Sequence, residues 1–138
     1  MAREFNLSVV APDRSVVEET VVSVVAPGED GYFGVMSGHV PLIAALKPGI
    51  LEYVDPTNNR HFVYTGGGFI EVGSAGVTVL ADEAQRASEI DVTRAEASLE
   101  DSRRALRGED SGMSTQDAVI EVDKAINRLK AARLNTNR

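Results

Sequence analysis

The sequence contains no cysteine and no tryptophan, only two histidines, His39 and His61, and aromatic residues at 5%. Without cysteine there is no disulfide, no thiolate zinc site and no cysteine nucleophile, and two histidines give a metal centre little to start from. No uninterrupted apolar run approaches the ~20 residues of a spanning helix. The N-terminus also lacks the basic-then-apolar layout of a signal peptide. These absences point to a cytoplasmic chain that does not cross a membrane. Basic charge is scarce too: the net charge is −7, which argues against nonspecific nucleic-acid binding, because neutralising phosphates needs a basic face.

What is present divides into two regions. At 138 residues the chain is long enough for one cored domain, or for a domain of about 85 residues with an appendage. Residues 1–88 hold five Lys and Arg against eleven Asp and Glu, whereas residues 89–138 hold nine against ten. From Glu4 to about Ala81 the pattern has period two. "EFNLSVV" sets Phe5, Leu7 and Val9 against Asn6 and Ser8, and "GVTVLAD" sets Val77 and Val79 against Thr78 and Leu80. Pro12-Asp13, Pro27-Gly28, Pro48-Gly49, Asp55-Pro56, Asn58-Asn59, Gly66-Gly67-Gly68 and Gly73-Ser74 punctuate it. Short strands with such spacing predict an antiparallel β-sandwich or barrel.

After Glu89 the period changes to three and four. Val92, Ala95, Leu99, Ser102 and Leu106 mark the seam of a first helix, with Asp91 as its N-cap and Ile90 as a hydrophobic staple. "GEDSGMST" at 108–115 breaks it, and a second helix capped by Ser114 or Thr115 carries Val119, Val122, Ile126 and Leu129. Two seams and a short loop predict an antiparallel helical hairpin. The expected division is a sandwich over residues 1–86 and a hairpin over 87–138. Both seams are poor in large aliphatics, each worth roughly 1.5–3 kcal/mol when fully buried. Ordering costs about 1–2 kcal/mol per residue in backbone entropy, so the hairpin is expected to be marginal on its own and free to change position.

The densest stretch of shape-setting residues is "PGEDGYFGVMSGHVPL", Pro27 to Leu42. As a phosphate loop it fails: it lacks a Gly-Lys-Ser/Thr ending, puts two acids where phosphates would sit and precedes no helix. Its glycines suit a tight turn between strands, and His39 reads most simply as a hydrogen-bonded structural histidine. No nucleophile–base pair, metal cluster or paired carboxylates in a cleft suggest catalysis.

Taken together these motifs resemble the epsilon subunit family of the rotary F-type ATP synthase, bacterial type. "PGEDGYFGVMSGHVPLIAALKPGIL" is similar to that family's PG-x-x-G-x-x-G-V/I-L-x-x-H-x-P-L pattern and the turn after it, with Met36-Ser37 where Leu-Pro is frequent. "YTGGGFIEV" at 64–72 resembles its GGF-x-E-V strand, and "ADEAQRASEIDVTRAEA" at 81–97 resembles its join to the hairpin. The resemblance implies an N-terminal antiparallel β-sandwich of about ten strands and a C-terminal two-helix hairpin. It implies a non-catalytic regulatory subunit of the central stalk of a proton-translocating complex, peripheral to the cytoplasmic face of the bacterial inner membrane. The partners implied are the gamma subunit, the c-ring and, when the hairpin extends, the beta and alpha subunits. Glu29, Asp30, Gly31 and Tyr32 would lie at the c-ring and the neighbourhood of His39 toward gamma. Extension would carry Arg103, Arg104, Arg107, Lys124, Arg128, Lys130 and Arg133 toward an acidic segment of beta and so inhibit ATP hydrolysis. Single exposed pairs of this kind are each worth roughly 0–1 kcal/mol.

Some members of the family bind ATP on the folded hairpin through an I/L-D-x-x-R-A motif, here Ile90-Asp91-Val92-Thr93-Arg94-Ala95. The resemblance thus implies ATP as a regulatory ligand rather than a required cofactor, held by Asp91, Arg94 and Arg128. Gln85, Asp101 and Lys124 depart from the ATP-binding pattern. ATP at a hundredfold its dissociation constant would stabilise the folded hairpin by ~2.7 kcal/mol. Read without the resemblance, Asp91 and Arg94 are ordinary residues of a helix start. Two other readings of the chain differ in class: an unrelated sandwich adaptor with a helical interaction module, and a small nucleotide-binding enzyme.

Overall fold

Alternation of apolar residues builds the first half of the molecule. The computed structural model of the chain describes residues 3–109 and 112–137. Its elements run β1 (Phe5–Ala11), β2 (Arg14–Val21), β3 (Ser23–Gly28), β4 (Gly31–Val35), β5 (Leu42–Val54), β6 (Arg60–Gly73), β7 (Gly76–Ala81) and β8 (Ala84–Arg86). A short 3-10 turn, Ala87–Glu89, leads to α1 (Val92–Leu106) and α2 (Thr115–Asn137). The strands join in the order β2-β1-β7-β6-β5-β3-β4, with β8 beside β6. Every pairing is antiparallel except β1 with β7. Leu7, Val9, Val77 and Val79 face the core, as the alternation predicts, and Leu80 faces out.

Eight strands stand where about ten were expected, and the reason is local. Pro48-Gly49 and Gly66-Gly67-Gly68 do not separate strands; they lie opposite each other inside β5 and β6, with Pro48 paired to Gly66 and Leu46 to Gly68. Both strands change faces there. On β5, Leu42, Ala44 and Leu46 face the core before the glycine, and Leu51 and Tyr53 after it. On β6, Val63 faces in before the glycines and Ile70 and Val72 after them. A strand that keeps its hydrogen bonds while flipping its side chains turns a corner between the two layers of a sandwich. Gly68 has φ +133°, and a Cβ on it would stand 2.1 Å from the Leu80 carbonyl oxygen, so no other residue fits.

The corner also decides where the helices dock. Beyond it, Ile50 and Tyr64 point outward and form a second cluster with Phe62, Ala87 and Ala131, flanked by Ile90 and Leu134. α2 lies on β5, β6 and the 3-10 turn, and α1 packs on α2.

The helix ends follow their sequence signals. Asp91 caps α1, its side chain accepting from the Arg94 amide at 3.1 Å. Ser114 caps α2 by accepting from the Asp117 amide at 3.1 Å. Gly108, at φ +81°, closes α1 in a Schellman turn: its N–H reaches the Ala105 carbonyl and that of Glu109 the Arg104 carbonyl. Of the loop expected at 108–115, Asp110 and Ser111 lie outside the described residues.

The seam between the helices is in part the one expected: Ala95 and Ser102 are buried, as their spacing predicts. Val92, Leu106, Val119 and Ile126 are all exposed, and the other buried positions are Ala105 on α1 and Ala118 and Ala125 on α2, while Ala131 is buried against the sandwich. Small side chains let two helices approach closely, which favours an alanine and serine stripe at the contact. Leu106, Val119 and Ile126, each one position from a buried alanine, are left exposed. Ile90, expected as a staple onto α1, instead flanks the sandwich cluster.

Candidate functional site

Capping of α1 by Asp91 fixes the first turn of that helix over the edge of the sandwich, and α2 passes beside it. Between them is a cavity of about 360 Å³ lined by Gln85, Ile90, Asp91, Arg94, Ala95, Ser98, Glu121 and Arg128. The structure thus brings together the three residues singled out for a nucleotide: Asp91 at the cap of α1, Arg94 in its first turn and Arg128 on α2. Its volume falls in the range that holds a small molecule, roughly 300–1,000 Å³. Asp101 and Lys124, two of the departures from the nucleotide pattern, are not among its lining residues; Gln85 is.

Arg128 is not idle. Its guanidinium lies over the Tyr64 ring, 4.8 Å from the centroid, and donates to Glu83. Lys124 approaches the same carboxylate at 3.9 Å. The Tyr64 hydroxyl also donates to Glu83, at 2.5 Å. Burial and this bond push the Tyr64 phenol well above its ordinary range. Sequence reasoning missed Glu83 and Tyr64 because their partners are distant along the chain. Ser98 and Glu121 carried a weak signal, one and two helical turns from Arg94 and Arg128.

Below the cavity, the join between sandwich and hairpin is fixed. Arg86 donates to the Val16 carbonyl at 3.0 Å, to the Tyr53 hydroxyl at 3.1 Å and to Glu19 at 3.1 Å. The Tyr53 hydroxyl donates to Glu19. Burial pushes the Tyr53 phenol up, Glu19 adds to it, and the result is about 12. Burial alone would raise the Glu19 carboxyl, but its bonds to Tyr53 and Arg86 outweigh that and hold it below its ordinary value. Arg14 reaches the Ala84 carbonyl at 3.4 Å and Glu89 at 3.3 Å.

A second region lies on the sandwich itself. Gly28 pairs with Gly31, so Glu29 and Asp30 form the exposed two-residue tip of the β3–β4 hairpin, with Gly31 at φ +134°. Tyr32 is half exposed, yet its hydroxyl is tied down, accepting from the Ile50 amide at 3.0 Å. His39 lies in the turn that follows β4, its amide donating to the Met36 carbonyl at 3.1 Å and its Nδ1 2.7 Å from the Val40 carbonyl oxygen. Met36, Val40, Ile43, Phe69 and Leu80 are all exposed. Phe69 pairs with Leu80 across β6 and β7, so part of this apolar surface is continuous.

The basic residues singled out on the hairpin divide into groups. Arg104 and Arg107 sit at the end of α1 and pair with Glu109, Arg107 also with Glu100; Arg103 is exposed beside them. Lys124 and Arg128 face the sandwich. Lys130 and Arg133 lie further along α2, beside Leu134 and Leu129 respectively. Among the described residues no helix is long and apolar enough to cross a membrane, and no group of His, Asp and Glu could hold a metal ion.

Comparison with known proteins covers both halves of the chain. Residues 4–87 match the family model of the ATP synthase delta/epsilon chain β-sandwich domain. Residues 88–133 match that of the long α-helix domain of the same chain. An ATP synthase epsilon chain of Desulforamulus reducens is 42% identical over 132 residues, 96% of this chain and 99% of that one. One of Solibacter usitatus is 41% identical over 132 residues, 96% of this chain and 98% of its own. Among solved structures, a chain of the Euglena gracilis mitochondrial ATP synthase, resolved as OSCP/F1/c-ring, superposes with a TM-score of 0.79 at 26% identity, over 94% of this chain and 81% of that chain. With both domains matched in order and relatives of this similarity along nearly its whole length, the chain belongs to the delta/epsilon family of ATP synthase chains, as an epsilon-type, non-catalytic subunit.

Proposed function

We propose that the sandwich, residues 1–86, couples the gamma subunit to the c-ring in the central stalk of a proton-translocating ATP synthase. The hairpin, residues 87–138, restrains ATP hydrolysis by leaving the sandwich and extending toward the beta and alpha subunits. The complex would hold the chain at the cytoplasmic face of the bacterial inner membrane. One observation carries the regulatory half: the hairpin has two apolar sides and the docked arrangement uses one. Ala131 and Leu134 meet the sandwich, while Val92, Leu106, Val119, Ile120 and Ile126 stay exposed. Apolar residues left open on a docked element suit a second resting place.

The sandwich has the features of a coupling piece. The acidic tip at Glu29 and Asp30 suits basic loops of a c-ring, and the apolar surface around Phe69 and Leu80 suits a helix of gamma. Assembly of the complex with the full chain, and with a chain ending at Arg86, tests the regulatory reading. Hydrolysis should rise severalfold without the hairpin while coupled synthesis persists; an unchanged hydrolysis rate rejects it.

The junction cavity is the proposed regulatory site for ATP. Asp91 would accept from the adenine amino group, and Arg94 and Arg128 would face the phosphates. Titration calorimetry of ATP into the full chain and into Arg94→Ala tests this. Saturable heat lost in the variant supports it, and no heat up to several millimolar leaves Asp91 and Arg94 as a helix cap and its neighbour.

A further inference from the structure

Glu83 stands on the two-residue link between β7 and β8, and its backbone is held in place on both sides. Its carbonyl accepts from the Gly66 amide at 2.8 Å, and the Asp82 amide donates to the Gly67 carbonyl at 2.9 Å. Its side chain lies across the corner of β6. A Cβ on Gly66 would stand 2.3 Å from Glu83 Cγ, so the missing side chain at 66 is what lets Glu83 reach α2. There its carboxylate takes Arg128 and, more loosely, Lys124, both of them less than a fifth exposed. The Tyr64 hydroxyl completes the set. Arg128 is at the same time a wall of the junction cavity.

We propose that Glu83 is a built-in counter-anion: it latches the docked hairpin to the sandwich through Arg128 when no nucleotide is bound, and a phosphate entering the cavity must compete with it for that guanidinium. The competition rests on the reading of the cavity as a nucleotide site; the latch does not. A carboxylate covalently fixed to the sandwich holds the hairpin regardless of nucleotide concentration, because its local concentration is set by the fold. A guanidinium already shared with a carboxylate and a ring face offers a phosphate less than a free one does. The docked hairpin is thus held in part by the chain's own charge, and ATP binds the cavity more weakly than it would with Arg128 unshared.

The test uses the full chain as wild type, Glu83→Gln and Gly66→Ala. The first variant keeps size and removes charge. The second keeps every charge and displaces the Glu83 side chain, at a position whose φ is not left-handed. Hydrogen exchange should accelerate about tenfold along residues 115–137 in both, as expected for losing one charge-assisted bond, with protection of β1 and β7 unchanged. Exchange of α2 unaltered in both variants overturns the latch. Calorimetric titration with ATP should then show binding about tenfold tighter in Glu83→Gln than in wild type; equal or weaker binding overturns the competition. Absence of ATP binding in either protein, with α2 loosened, removes the nucleotide reading and leaves the latch established on its own.

Discussion

Arg86 and Tyr53 are thirty-three residues apart and meet at 3.1 Å, guanidinium to hydroxyl, where β8 hands the chain on to the hairpin. This contact ties the last strand of the sandwich to its core, so any movement of the hairpin hinges beyond Arg86, in the stretch Ala87 to Asp91. Burial of Tyr53 and its bond to Glu19, which together outweigh the opposing pull of Arg86, set a pH limit. In the unfolded chain the phenol ionises near pH 10, and in the folded chain it is held to about 12. Across that window the unfolded state binds fewer protons than the native one. The contribution is therefore whole below pH 10 and lost as pH rises toward 12, at up to about 1.4 kcal/mol per pH unit. Tyr53→Phe should flatten the fall in stability between these values, measured by urea unfolding at stepped pH.

The acid limit lies elsewhere. Asp55 accepts from the Thr57 amide, the Thr57 hydroxyl and the Asn59 amide, and His61 Nε2 lies 2.8 Å from its second oxygen. The His61 bond above all, and then the turn bonds, hold its carboxyl well below the usual range. That contribution is present above the ordinary carboxylate range and lost as pH falls through it. Asp55→Asn should lower the melting temperature at neutral pH and narrow the gap between variant and wild type in acid, read by circular dichroism.

Gly68→Ala should be among the most damaging single methyl groups in the chain. The new carbon would meet the Leu80 carbonyl oxygen at 2.1 Å in a left-handed conformation. Both faults act at once, so a loss of about 3 kcal/mol or more is expected. Denaturant unfolding with an unchanged m-value would measure it.

The two sides of the hairpin should separate by substitution. Ala125→Leu forces a large side chain into the fully buried seam and should cost about 1–3 kcal/mol, visible as lost protection of α1 and α2. Val119→Ser and Ile126→Ser change exposed positions and should move stability by no more than about 0.5 kcal/mol. In the assembled complex they should nevertheless relieve restraint of hydrolysis. Relief by Ala125→Leu alone would place the function in the docked face.

Much of this was legible in the sequence where the signal is local. The Asp91 and Ser114 caps, the Gly108 stop and the alternation of Val77 and Val79 each depend on a few neighbouring residues. The Glu29–Asp30 tip does too. Legibility failed where one local signal serves two structures. Pro48-Gly49 and Gly66-Gly67-Gly68 have the composition of turns, and nothing nearby says that both strands continue through them. The hairpin seam was legible at Ala95 and Ser102 but not at Leu106, Val119 and Ile126, because two stripes of period three and four run side by side and a large residue next to an alanine carries the stronger signal. Asp91, Arg94 and Arg128 were found because a motif names them. Glu83 was not, since its role arises only when residues 19 and 45 positions away fold over it.

The corner in β5 and β6 has a mechanical meaning. Where two layers touch only through side chains, a twisting load lets one slide on the other. Here two adjacent strands pass from layer to layer without losing their backbone pairing, so shear between the layers is resisted by covalent chain and peptide hydrogen bonds. Torque applied to the surface around Phe69 would travel along the strands themselves to the opposite layer. A part with that grain would be stiff across its thickness.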